Sequence, residues 1–212
     1  MQTTLRVNHR TVAAALLLGS CLPALAAEAP RAEMPTITEF KPGQYNEYTV
    51  SDAAMGGCTR WRNKEITKDG LLVSECKDLL LYRSVANSLN LVKMTKTNGD
   101  VLWSYEPYMP TMAFPLEVGK VWTGEYAGYT EDTGDKWKAK TRCEAVAYEK
   151  VSTVAGEFDA FRIDCVHNWR ALLVFSGEKR SSTWYAPKIA SVVKFVHEDT
   201  KYNHLLTGYN RD

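Results

Sequence analysis

Ser191-Val192-Val193-Lys194 has the spacing of a Ser-x-x-Lys acyl-transfer pair, in which a lysine one helical turn beyond a serine activates the hydroxyl. That chemistry needs a helix and a companion Lys-Thr-Gly strand. The surrounding residues alternate as a β-strand does, and there residues three apart point to opposite faces, so serine and lysine diverge. His197-Glu198-Asp199 sets a base beside two carboxylates, but adjacent strand residues also diverge, and no Gly-x-Ser-x-Gly nucleophile accompanies them. His167 falls in phase with Cys165 and Trp169 on a prospective core face, where a histidine is more often a hydrogen-bonded packing residue than a base. No catalytic residues are assigned, and the chain reads as a non-enzyme.

Cys58, Cys76, Cys143 and Cys165 form an even set, with no Cys-x-x-Cys pair. Neither these cysteines nor His167, His197 and His204 show metal-ligand spacing, so no metal and no cofactor is expected. In an oxidising compartment two disulfides follow. Cys143 and Cys165 lie equally far from Val154, at the turn between two strands, and so face each other across a hairpin. Cys58 and Cys76 flank Lys68-Asp69-Gly70 less symmetrically, and a bridge there requires a bulge or a longer loop near Gly56-Gly57.

The residues that can bind rather than react are aromatic. Trp103, Tyr105, Tyr108, Trp122 and Tyr126, with Phe114 and Tyr129, crowd a stretch that also holds Pro107, Pro110 and Pro115. On the concave side of a curled sheet such rings line a groove for an acyl chain or stack on sugar faces. They equally well fill the core of a β-protein. The partners expected are a lipid, a glycan or an envelope protein, with Trp103, Tyr105, Tyr108, Trp122 and Tyr126 as candidate contacts.

The elements that must position these side chains are strands. Short apolar-alternating runs at Tyr45 to Val50, Thr59 to Ile66, Leu71 to Lys77, Leu79 to Ser84, Leu89 to Lys96, Val101 to Tyr105 and Lys120 to Thr130 are followed by Lys136 to Lys150, Phe158 to Trp169, Ala171 to Phe175, Arg180 to Ala186 and Ser191 to Glu198. Gly70, Gly99, Gly134, Gly156 and Gly177 mark the tight reversals. The pattern predicts an all-β domain: a strongly curved antiparallel meander, half-barrel or open barrel, over residues 38–212.

Ahead of it, Arg6, His9 and Arg10, the apolar run Thr11 to Leu18, Pro23 and Ala24-Leu25-Ala26 read as a signal peptide over residues 1–26. Residues 27–37 are Ala/Pro/Glu-rich and read as a flexible tether. Leu18-Gly19-Ser20-Cys21 also fits a lipidation site, so a periplasmic or secreted protein is expected, with an outer-membrane lipoprotein anchored through Cys21 as the alternative. The formal charge of the chain is +1, and loss of the leader with Arg6 and Arg10 makes it −1, a near-neutral balance that argues against a nucleic-acid partner. No apolar run reaches the length of a transmembrane helix.

Val154-Ala155-Gly156-Glu157-Phe158-Asp159-Ala160-Phe161-Arg162-Ile163, Thr183-Trp184-Tyr185-Ala186-Pro187, Val192-Val193-Lys194 and the upstream Pro115-Leu116-Glu117-Val118-Gly119-Lys120-Val121-Trp122 resemble the TapB-like secreted bacterial domains of unknown function. The resemblance implies a curved antiparallel sheet similar to the half-barrel of periplasmic lipoprotein carriers, and no catalytic residues. Together these readings point to a non-enzymatic envelope protein that binds an apolar or envelope-derived ligand or assists an assembly. The alternatives are a hydrolase of envelope polymers using His167 or His197, and a structural lipoprotein held through Cys21.

Overall fold

Gly70, Gly99, Gly134 and Gly156 all take positive φ, where glycine alone pays no steric cost, and each closes a hairpin. The computed structural model describes residues 29–49, 57–131, 133–171 and 175–212. The leader and Cys21 lie outside the described residues. Between the turns run β1 (Arg31–Ala32), β2 (Tyr45–Thr49), β3 (Arg60–Ile66), β4 (Leu71–Cys76), β5 (Leu79–Ser84), β6 (Asn90–Lys96) and β7 (Val101–Met109). There follow β8 (Leu116–Glu117), β9 (Val121–Thr130), β10 (Asp135–Thr153), β11 (Gly156–Ala171), β12 (Phe175–Ala186), β13 (Ser191–His197) and β14 (His204–Asn210).

Twelve of these strands pair antiparallel with their neighbours in chain order, and β14 returns to β2 to complete a closed barrel. The sheet is therefore neither a half-barrel nor an open one. Closure depends on β14, which sequence periodicity does not mark because a bulge between Leu206 and Gly208 breaks its alternation. The seam is thin: β13 and β14 share two residue pairs and β2 and β3 share three. A closed ring leaves no unpaired strand edge.

Two further expectations change. Ser176-Gly177-Glu178 is not a reversal but part of β12, where Gly177 pairs with Trp169 and makes room for its ring. The segment over residues 27–37 is not wholly a tether: β1 pairs with β8, Arg31 contacts Glu117, and Ala32 is buried against Leu116, Phe161 and Ile163.

The core is divided into three clusters. One surrounds Cys143, Phe161, Ile163, Cys165 and Tyr185, a second surrounds Phe158, Trp184, Val193 and Leu206, and a third surrounds Trp61, Cys76, Leu79, Leu81 and Met94. An eight-stranded barrel has an interior that side chains just fill, and the diameter grows with strand number. Twelve strands enclose more space than one cluster can occupy. Outward positions on the long strands are charged, with Arg142–Glu144, Arg162–Asp164 and Lys140–Glu125 ion pairs. A membrane-spanning barrel alternates in the opposite sense, apolar outside.

Candidate functional site

The hairpin of β10 and β11 sets Cys143 directly opposite Cys165, and the structure joins them with Cα atoms 4.1 Å apart. The segment between β7 and β9 bridges the ring above this bond. Asn90 of β6 holds it by accepting from the Thr111 and Met112 amides at 2.9 and 2.8 Å. At the other end, Trp122 Nε1 donates to the Pro110 carbonyl, and Gly124 leaves room for the Pro110 ring.

The expected second bridge is not formed. Cys58 and Cys76 are buried thiols, and Cys58 Sγ donates to the Cys76 carbonyl at 3.1 Å. Cys58 precedes the ladder of β3, so no strand register sets it opposite Cys76. Burial first, and the neighbouring Cys76 thiol next, push the Cys58 pKa up to about 12.

The candidate aromatic contacts separate. Trp103, Tyr105 and Tyr126 form a chain of rings, with centroids 5.2 and 5.4 Å apart, and Trp137 joins at 6.5 Å from Tyr105. Trp122 instead packs on the disulfide cluster. Tyr108 makes no ring contact among the described residues and stays half-buried. The rings thus pack largely on one another rather than line an open apolar groove.

The three histidines also differ in role. His167 Nδ1 lies 2.8 Å from the Thr141 hydroxyl and 3.5 Å from that of Tyr126, and burial drops its pKa to about 4. His197 Nδ1 accepts from the Asp199 amide, so its ring caps the turn after β13. His204 Nδ1 sits 3.1 Å from the Tyr202 carbonyl, which can only accept, so that nitrogen carries the proton. Its pKa is about 4, lowered by burial, and the imidazole is neutral at pH 7. Ser191 is buried on Asn46 and Arg211, whereas Lys194 lies over the Trp184 ring at 4.4 Å, so the Ser-x-x-Lys pair is split. Among the described residues no cluster of His, Cys, Asp or Glu has the makings of a metal site.

A group the sequence reading missed lies within the barrel. Arg83 follows Leu79 and Leu81 in alternation and pairs with the buried Leu72. Its neighbours Tyr82 and Lys93 pack together on the other face. Tyr48 packs between the second and third core clusters, and its ring meets that of His204 edge-on at 4.9 Å. Burial raises the Tyr48 pKa to about 12, with Arg83 and Arg211 opposing the rise. Its hydroxyl donates to the Val192 carbonyl at 3.0 Å. Arg83 also depresses His204, so Arg83, Tyr48 and His204 share one electrostatic neighbourhood although β5 and β2 are not adjacent. The signal available in the sequence was a lone cation in phase with core leucines.

Tyr48, Leu91 and Trp103 keep part of their surface accessible although they pack against core clusters, and His204 and Phe195, also part-accessible, continue from Tyr48 through ring contacts. A concavity of about 750 Å³ runs along Glu106, Glu125, Lys138, Lys140, Asn168 and Arg170, with Tyr126, Ala139 and Trp169 also in its lining. Its charges partly compensate one another, as in the Glu125–Lys140 pair, which suits a hydrated face.

No family model matches the chain, and no curated protein matches it. The TapB-like resemblance therefore stands on its own residues, and Leu116, Phe158, Ala160, Phe161, Ile163, Trp184, Tyr185, Ala186 and Val193 among them are buried. Those motifs describe packing. Among solved structures, a candidate lipoprotein from Parabacteroides distasonis ATCC 8503 is similar at 11% identity with a TM-score of 0.44, covering 81% of this chain and 96% of that one. A candidate exported protein with a YmcC-like fold from Bacteroides fragilis NCTC 9343 is similar at 14% identity with a TM-score of 0.42, covering 85% and 100%. Likenesses of this size say nothing about a site or a ligand. No helix among the described residues is long and apolar enough to cross a membrane.

Proposed function

We propose that the chain is a non-enzymatic protein of the bacterial envelope whose barrel interior takes up an apolar or amphipathic ligand. The observation that carries this reading is the set of inward residues, Tyr48, Leu91, Trp103, Phe195 and His204, that stay part-accessible inside a twelve-stranded ring. A ligand site of this kind is mostly apolar, with few polar groups that fix orientation, and that is the balance here. The leader pattern over residues 1–26 supports an envelope location. The absence of catalysis is supported by Thr141, the hydroxyl nearest His167, which is fully buried and closed to a substrate. Periplasmic or outer-membrane placement depends on how the leader is processed around Cys21.

Native mass spectrometry on the protein isolated from the envelope tests this reading. A mass excess released as a lipid-like species on denaturation is expected. A ligand-free protein that also fails to bind lipids, long-chain alcohols and envelope glycans in solution would sink it.

A further inference from the structure

Two arginines enter the interior, and they are treated differently. A guanidinium has five N–H donors. Arg211 spends its donors on the Ile189, Tyr45 and Asn210 carbonyls, Asn46 Oδ1 and Ser191 Oγ, and so acts as a cap at the end of β14. Among the described residues Arg83 makes one hydrogen bond, from Nη1 to Ser74 Oγ at 3.2 Å. No carboxylate of the described residues pairs with it, and Tyr48 is the one group that favours its charge. Burial pulls its pKa below the ordinary value, yet a guanidinium keeps its proton at any working pH.

A half-buried guanidinium without a counter-ion carries a desolvation cost, and proteins pair such groups or use them. Among the described residues Ser74 takes the one hydrogen bond of its five donors. The Tyr48 oxygen and Nε2 of the neutral His204 ring keep lone pairs able to accept, but among the described residues Arg83 donates to neither. Leu91 pairs with Arg83 across β5 and β6 and, with Leu102 and Trp103, forms a part-accessible apolar wall over the third core cluster.

We propose that Arg83 is the anchor for the anionic head of an amphipathic ligand, a carboxylate or phosphate on an acyl chain, whose tail lies along that wall. The inference rests on the interior-ligand reading above and adds the charge and orientation of the ligand. A carboxylate or phosphate that accepts two parallel N–H bonds matches the free edge of the guanidinium.

The test compares four probes on the mature chain and on Arg83→Met and Arg83→Gln: a long-chain fatty acid, the primary alcohol of equal length, a lysophosphatidate and inorganic phosphate. Titration calorimetry gives the affinities. The wild-type protein is expected to prefer the acid over the alcohol on the order of tenfold or more, the worth of a hydrogen bond to a charged group. Both variants should abolish that preference, lowering the acid's affinity on the order of tenfold or more relative to the alcohol's. Tighter binding of the lysophosphatidate than of the fatty acid makes the head a phosphate, and the reverse makes it a carboxylate. Equal affinity for acid and alcohol in the wild type overturns the anchor and leaves the interior-ligand reading intact. Binding of neither overturns both. Phosphate binding without either chain overturns the amphiphile. As a folding control, Arg83→Met should raise the ligand-free thermal midpoint, because it removes an unpaired charge, and a lowered midpoint counts against the assignment.

Discussion

At the scale of single residues, His167 makes a pH prediction whose sign is set by burial. Its pKa in the folded chain is about 4, against an ordinary value of 6.5, and the cause is desolvation first and the neighbouring His197 second. The unfolded chain therefore takes up this proton before the folded one does. Stability from the neutral, buried imidazole is fully present above pH 6.5 and is lost as pH falls toward 4, by about 3 kcal/mol in total. Urea unfolding at pH 7 and at 4.5 should show a clear fall in the wild type and a shallower one in His167→Gln. Equal falls in the two proteins would show that His167 does not titrate differently on unfolding. The cysteines make a second residue-scale prediction. Alkylation of the denatured, unreduced protein should label Cys58 and Cys76 and spare Cys143 and Cys165. Protection of all four would mean that the oxidising envelope has closed the second pair.

At the scale of elements, the long hairpins hold their curvature because small residues sit under large rings. A Cβ on Gly128 would lie 2.2 Å from Cε2 of Trp137, a ring held in turn by Tyr105. Gly128→Ala should therefore destabilise by about 1–3 kcal/mol through overpacking. Gly134, at the turn before β10, has open space around it and φ of +66°, so Gly134→Ala should cost only the backbone strain of about 1–2 kcal/mol. Chemical denaturation of both variants, with tryptophan emission as the signal, should show an emission shift for Gly128→Ala alone. An unperturbed Gly128→Ala would mean that the Trp137 ring moves freely. Much of this level was readable in the sequence. The strand read over Leu79 to Ser84 has the bounds of β5, although its three consecutive leucines make this the run where a helix competes best, and the glycines at 70, 99, 134 and 156 mark real reversals. The misreadings have local causes. Ser176-Gly177-Glu178 has turn composition, but its glycine serves the Trp169 ring, which only pairing across β11 and β12 reveals. Strands β1 and β8 are two residues long and carry no period.

At the scale of the whole molecule, closure of the ring turns a curved sheet into an interior. Three separate clusters and the bridging segment from Pro110 to Phe114 fill part of that space, and the described aromatic rings pack on one another. The aromatic stretch was visible in the sequence, but its division between the Trp103–Tyr105–Tyr126 chain and the disulfide cluster was not. What the sequence by itself determined is local: two-residue alternation, glycine reversals, and the equal spacing of Cys143 and Cys165 about Val154, because each depends on neighbours along one hairpin. What only the tertiary structure decided is whether the sheet closes and which side chains meet across it. Closure depends on a bulged strand, β14, and the meeting of Arg83 with Tyr48 and His204 joins strands that are not adjacent in the ring. Such contacts are set by barrel curvature and strand number, which no spacing along the chain encodes.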